Sequence, residues 1–305
     1  MRPSFRHVKD VVMLPAHGLL KAALPFPRFW HCCLRAAAAA GRGYYRLPGS
    51  HVRLTLRDFC RSTGHRDPGA IFRQFLANMV HTGRNFATLM REGGDPLAAM
   101  AEFDPLCAAR LATVRERYGA AILVLPHCAG SLLPVARLGR TFPTVLLVRE
   151  SASQTRSRLT AQYYARLGPE ILAVRRLDPV VVARRLVKLL KQKKIVIGTT
   201  DRPAGPERGR VAVRMFDQPV WLPDWPARFS AQLQVPILPT YVRMCGGQAV
   251  MMCGEPYVAV DIASGTQRWA EYFESCFRAY PADWVLLYDK RWAAIFRTAA
   301  TGASR

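Results

Sequence analysis

Acidic residues are scarce in this chain. Its 305 residues hold 21 Asp and Glu against 44 Lys and Arg, a formal net charge of +23. Such an excess favours a polyanionic partner: nucleic acid, an anionic membrane surface or an acidic carrier protein. The arginines are scattered among apolar segments and no nucleic-acid-binding motif is present, so nucleic acid is not the expected partner. Cys-x-x-Cys pairs are also missing. Cys32 and Cys33 are adjacent, and Cys245 and Cys253 stand alone. The eight cysteines therefore suit neither a zinc site nor a disulfide framework, and all eight are expected as thiols, mostly in the core. No window reaches the ~18–20 uninterrupted apolar residues of a spanning helix. No signal peptide is expected, because the alanine run at 36–40 comes late and follows Arg35. A Gly-x-Ser-x-Gly elbow is absent, which removes a serine-hydrolase reading of Ser131.

What is present is a half-hydrophobic chain, 50% by composition, able to bury a sizeable core. Residues 1–60 read as a helical, membrane-associating region and 61–300 as an α/β domain. The apolar segment 11–34 is interrupted by Pro15, Lys21, Pro25, Pro27 and Arg28. Phe26, Phe29 and Trp30 beside Arg28 suit an interfacial anchor, with an ordinary core helix pair as the alternative. The alanine run reads as helix interior, ended by Gly41 and Gly43. Asp67-Pro68 starts another helix, with Ile71, Phe72, Phe75, Leu76 and Met79 at core spacing. A loop is expected at 93–96 and a helix at 104–117. His65 and His81 read as structural.

Beyond residue 120, strand and helix alternate. Strands are expected at 121–125, 144–148, 171–174 and 195–199, and helices at 131–139, 154–167 and 179–193, the last capped by Asp178 with Pro179 at its first position. Further strands at 237–241 and 249–253 flank a turn at Gly246-Gly247, and a helix follows at 266–280. This pattern predicts an α/β fold with a mixed, largely parallel sheet flanked by helices.

In such sheets ligands meet the carboxyl ends of the strands. His127 follows the first strand, Arg149 and Glu150 the second, and Thr200, Asp201 and Arg202 the fourth. A carboxylate within reach would fix the imidazole tautomer and make the ring a better general base. Backbone N–H groups near Gly130 and Ser131, at a helix start, suit an oxyanion. Arg149, Arg156, Arg158 and Arg202 suit a phosphate. The structural alternative is a buried histidine satisfied by a carbonyl.

Several blocks, in order, resemble the lysophospholipid acyltransferase superfamily, and within it the bacterial lipid A biosynthesis (lauroyl/myristoyl) acyltransferase branch. They are FLANMVHTGRNFATLM, AILVLPHCAGS, TFPTVLLVRES, KKIVIGTTDRPAG, VRMFDQPVWLP, VPILPTYVRM and PADWVLLYDKRW, spanning about 65–297. The chain departs from the pattern in one decisive place. The family has an acid five residues after its histidine, where this chain has Leu132, and Tyr288 stands where the family has His. Either another acid orients His127, or the protein is a catalytically impaired relative that binds acyl chains or acyl carrier protein. Glu150 is expected as the replacement partner, with Asp201 behind it or at the acceptor.

The resemblance implies a glycerolipid-acyltransferase-like fold and acyl transfer from a thioester of acyl carrier protein or coenzyme A to a hydroxyl or amine of a lipid or glycolipid. The expected place is the cytoplasmic face of the inner membrane, with the protein peripheral or monotopic. No metal or cofactor is implied. His127, Glu150 and Asp201 would be catalytic. Gly130, Ser131, Arg149, Arg202, Gly205 of the Asp-x-x-x-Gly loop, and Phe216 would bind substrate, with Trp221 and Trp225 as further candidates for an acyl groove.

Overall fold

A computed structural model of the chain describes residues 25–151 and 153–302, without the side chains of 154–156 and 159. The apolar segment expected at 11–34 lies outside the described residues up to position 24, as does the side chain of Arg156.

Among the described residues four helices come first: α1 Pro27–Arg46, α2 His51–Thr63, α3 Pro68–Glu92 and the short α4 Asp95–Ala99. Their starts are written in the sequence. The Ser50 hydroxyl accepts from Arg53 N at 3.2 Å, and Asp67 accepts from Ala70 N at 2.8 Å, satisfying N–H groups that the helices leave unpaired. Gly41 and Gly43 do not end α1, contrary to expectation. A Cβ added at Gly41 would stand 3.1 Å from Leu76 Cδ2 of α3, so this glycine is a close-packing position. An interior glycine costs a helix only about 1 kcal/mol, which packing outweighs. Part of the expected 93–96 loop is likewise helical, in α4. The boundary expected at residue 60 falls inside α2, whose Leu56 and Phe59 are fully buried in the same core as the sheet.

The sheet is built from β1 Ala101–Phe103, β2 Ala121–Leu125, β3 Thr144–Val148, β4 Glu170–Ala173, β5 Ile195–Thr199, β8 Ile237–Cys245 and β9 Gln248–Cys253. Helix α5 Pro105–Tyr118 leads from β1 to β2, and α6 Leu132–Thr141, α7 Gln154–Tyr164 and α8 Pro179–Lys191 connect the parallel strands β2, β3, β4 and β5. Between β5 and β8 come a separate hairpin, β6 Arg210–Met215 with β7 Gln218–Pro223, and α9 Trp225–Leu233. The chain ends in α10 Ile262–Ala279, two 3₁₀ turns, Pro281–Asp283 and Val285–Tyr288, and α11 Lys290–Gly302. Strand order is β1-β9-β8-β2-β5-β3-β4. Strands β8, β2, β5, β3 and β4 run parallel, while β9 is antiparallel to β8 and pairs in parallel with β1. Every residue of β2 is buried, as an unbroken apolar run in a strand covered on both faces requires.

One feature of this order sets the site. Strand β5 lies between β2 and β3, so β3 is not the neighbour of β2. The register pairs Leu125 with Thr199 across β2 and β5. Residues two positions beyond each strand end, His127 and Asp201, are therefore level and adjacent.

The expectation of eight thiols fails at one pair. Cys107 of α5 and Cys253 at the end of β9 are disulfide-bonded, with Cα atoms 4.8 Å apart. Pairing of β1 with β9 brings them together across 146 residues, a distance at which spacing carries no signal. The other six cysteines are free. Among the described residues no helix is long and apolar enough to cross a membrane.

Candidate active site

His127 leaves the end of β2 with its ring about a third exposed, the side chain at 38%. Its Nδ1 faces Asp201 Oδ1 at 2.5 Å. The other carboxylate oxygen, Oδ2, accepts two more N–H groups: the backbone N of His127 at 3.0 Å and Trp284 Nε1 at 2.8 Å. Asp201 has no exposed side-chain surface. An aspartate so buried needs each lone pair matched, and three donors converge on it. A carboxylate accepting at Nδ1 places the ring proton there and leaves Nε2 with the free lone pair. The carboxylate thus fixes the ring of a partly exposed histidine.

A strap from the C-terminal region holds both partners. Trp284 stacks on Phe277 with centroids 3.6 Å apart, and Trp292 Nε1 donates to the Asp201 carbonyl at 2.9 Å. Residues 127–129 pair with 283–285: Val285 N donates to His127 O and Ala129 N to Asp283 O, each at 2.7 Å. Asp283 is itself buried, and its Oδ1 accepts from Asn78 Nδ2 at 2.7 Å and Met244 N at 3.1 Å. Burial raises its carboxyl to about 6, partly opposed by the Met244 N–H and the Arg243 charge.

Glu150 is not the partner of His127. Its carboxylate accepts from the Arg175 backbone N at 2.7 Å, and its carbonyl accepts from the Arg175 guanidinium at 3.1 Å. Because β5 intervenes, Glu150 stands two strand spacings from the histidine column, about 10 Å across the sheet. The assignment of Glu150 as replacement acid and Asp201 as a more distant residue is therefore reversed. Leu132, at the position of the expected motif acid, opens α6 and packs partly against the core.

The other expected residues divide. Gly130 has φ +72°, and a Cβ there would fall 2.1 Å from Met244 Sδ, so this glycine answers to packing and backbone conformation. The Ser131 N–H turns back to Cys128 O at 3.3 Å. Arg149, Arg202 and Gly205 are exposed on the rim, and Arg158 is exposed on α7. Phe216 is 1% exposed and packs edge-on against Phe59, Trp292 and Phe296, so it is core and lines no open groove. Trp221 and Trp225 are half-buried. Trp225 lies across β5, where a Cβ at Gly198 would meet its ring at 2.5 Å.

Two arginines not anticipated from sequence join the rim. Arg291 donates to Pro203 O at 2.6 Å and Arg210 to Arg202 O at 3.1 Å, placing two guanidiniums on the loop that follows Asp201. Partial burial lowers the Arg210 pKa, with the like charges of Arg291 and Arg149 adding to it and Glu207 opposing. Trp284, Trp292 and Asp283 were also missed as site residues. The available signal was the two tryptophans near the chain end, since a buried indole N–H seeks an acceptor. Among the described residues no group of three or more His, Cys, Asp and Glu is arranged to hold a metal.

The family model for the bacterial lipid A biosynthesis acyltransferase matches residues 3–293, nearly the whole chain. No curated protein matches it.

Proposed function

The chain belongs to the bacterial lipid A biosynthesis acyltransferase family, and from that premise we propose that it moves an acyl chain from a thioester to a hydroxyl or amine of a lipid or glycolipid at the cytoplasmic face of the membrane. His127 Nε2 takes the proton of the acceptor O–H or N–H as the oxygen or nitrogen attacks the thioester carbonyl. The new C–O or C–N bond forms, and the carbonyl electrons move onto oxygen. When the tetrahedral intermediate collapses, the C–S bond breaks and the proton on Nε2 passes to the departing thiolate. Asp201 keeps the ring oriented and stabilises the imidazolium between these steps. At the start of α6 the Ser131, Leu133 and Val135 N–H groups already serve the Cys128, Gly130 and Ser131 carbonyls and Pro134 has none, so the backbone N–H groups of Gly130 and Leu132 are the candidates for oxyanion donors.

The observation carrying this reading is the His127–Asp201 contact at the rim, Nδ1 inward and the ring partly exposed. It supplies the acid that Leu132 cannot. The cationic rim of Arg149, Arg210 and Arg291 suits a phosphate on either substrate, whether in the carrier's prosthetic arm, in coenzyme A or in the acceptor. An acidic carrier protein and an anionic membrane suit the +23 charge equally well.

The test is acyl transfer by the purified full chain with acyl carrier protein and coenzyme A thioesters, read as released thiol and as product mass. His127→Ala should lose about 10²–10⁴-fold in rate with the fold intact. An unchanged rate in that variant would place the chemistry elsewhere. A parent that binds the thioester without turning it over would make the protein an acyl-binding relative.

A further inference from the structure

Helix α1 has three faces. Trp30, Leu34, Ala38, Gly41 and Tyr45, spaced 4, 4, 3 and 4 apart, form its packed side. That side lies antiparallel on α3. Trp30 Nε1 donates to Gly83 O at 3.0 Å, a Cβ at Gly83 would collide with Leu34, and Tyr45 stacks on Phe72 at 4.6 Å. A second stripe is wholly basic: Arg28, Arg35, Arg42 and Arg46 at i, i+7, i+14 and i+18, every one exposed. The third is apolar and uncovered. Phe29, Cys33, Ala36, Ala40 and Tyr44, at i, i+4, i+7, i+11 and i+15, fall within an arc of about 80° at about 100° per residue. Phe29 is 59% exposed and Tyr44 47%, with Phe26 just before the helix at 63% and Leu47 just after it at 55%. No acidic residue occurs in α1.

The basic stripe does not stop at the helix end. Arg46 leads into an open groove of about 440 Å³ lined by Tyr45, Arg46, Arg53, Arg57 and Pro68, and the neighbouring Asp67 carboxylate is engaged by Ala70 N and Arg73. The Arg53 guanidinium donates to Arg46 O at 3.3 Å, which holds it at the groove.

We propose that α1 and its corner with α2 form a docking face for an anionic bilayer, the apolar strip seated among the acyl chains and the groove holding a lipid headgroup phosphate. Charge complementarity selects this occupant. An apolar strip bordered on one side only by arginines matches an interface where hydrocarbon gives way to phosphate. A second copy of this chain would oppose its own +23 charge there. The helix is packed along its length on α3, so it lies on the surface over about 30 Å. This inference rests on the lipid-acceptor reading above only for the kind of surface expected.

Its test is sedimentation of the full chain with vesicles of phosphatidylcholine alone or mixed with phosphatidylglycerol, at low and high salt. The parent should bind the anionic vesicles preferentially and lose binding with salt. The pair Phe29→Ser with Tyr44→Ser should bind about tenfold more weakly or worse. Arg53→Gln with Arg57→Gln should lose about fivefold per arginine. Acyl transfer to detergent-dispersed acceptor, read separately, should stay at the parental rate in all variants, so failure of the docking face and failure of the catalytic reading are told apart. Parental binding in both variants would overturn the proposal and assign attachment to residues 1–24. A parental dimer that dissociates in the Phe29 and Tyr44 variant would overturn it in favour of self-association.

Discussion

Asp201→Asn leaves the shape of the site intact and reverses its proton logic. The amide oxygen can still accept from His127 N and Trp284 Nε1, the two donors that now share Oδ2. Its NH₂ group then faces His127 Nδ1. Two donors cannot meet, so the imidazole must turn Nδ1 into an acceptor and move its proton to Nε2. The nitrogen facing the substrate then carries hydrogen and has no lone pair for the acceptor. The loss expected is the whole general-base contribution, on the order of 10³–10⁴ in turnover. Stability should fall far less. Two of the three hydrogen bonds survive with a neutral acceptor, a cost of about 1–2 kcal/mol. The assay is the initial rate of thiol release from the acyl donor, confirmed by the mass of the acylated lipid, beside a thermal melt of the same sample. A variant that melts near the parent and keeps its rate within about threefold would refute the role given to Asp201.

Glu150→Gln is the matched control: its carboxylate serves the Arg175 backbone, so turnover should stay within about threefold of the parent in the same assay. Trp284→Phe keeps the stack on Phe277 but removes a donor to Asp201, and should lower turnover about tenfold and stability by about 1–2 kcal/mol, read by kinetics and denaturant titration. Asp283 gives a pH signature. Its folded carboxyl titrates at about 6 against about 3.9 unfolded, so between those values the folded state holds a proton that the unfolded chain has lost, and stability falls as pH rises across that window. Above it this group's penalty is constant, up to about 3 kcal/mol. Asp283→Asn keeps an acceptor for Asn78 and Met244 and should flatten that part of the pH–stability curve; equal slopes in parent and variant would refute the assignment. Gly130→Ala should lower the melting temperature, because φ +72° and the Met244 contact both resist a Cβ, at a cost of about 1–3 kcal/mol.

The parallel strands were legible because burial on both faces writes an apolar run, unbroken at 121–125 and, within the strands 144–148 and 195–199, at 145–148 and 195–197. Caps were legible at Asp67 and Asp178, where a short acidic side chain precedes proline. Strand order was not. Nothing in β2, β3 or β5 states which pair is adjacent, and taking the strands in chain order led to Glu150 where the register leads to Asp201. The β6–β7 turn was hidden for a local reason: Phe216 and Asp217 hold φ of +51° and +60° without a glycine to mark them. The same turn misled the reading of Phe216, since an aromatic in an apolar block looks alike whether it lines a groove or fills a core. α11 carries an amphipathic pattern but follows two tight turns that break the period, and its Trp292 contact with Asp201 spans 91 residues.

That long reach has a consequence for the life of the molecule. The histidine proposed as base comes from the middle of the polypeptide, its carboxylate partner from 74 positions later, and the indoles that hold that aspartate, one on its carboxylate and one on its carbonyl, from residues 284 and 292. A chain still being synthesised can lay down its central strands, yet it owns no competent reaction centre until its tail has emerged and folded back. On the reading proposed above, a copy lacking residues 284–292 would lack both indole contacts to Asp201 and with them the orienting clasp on His127.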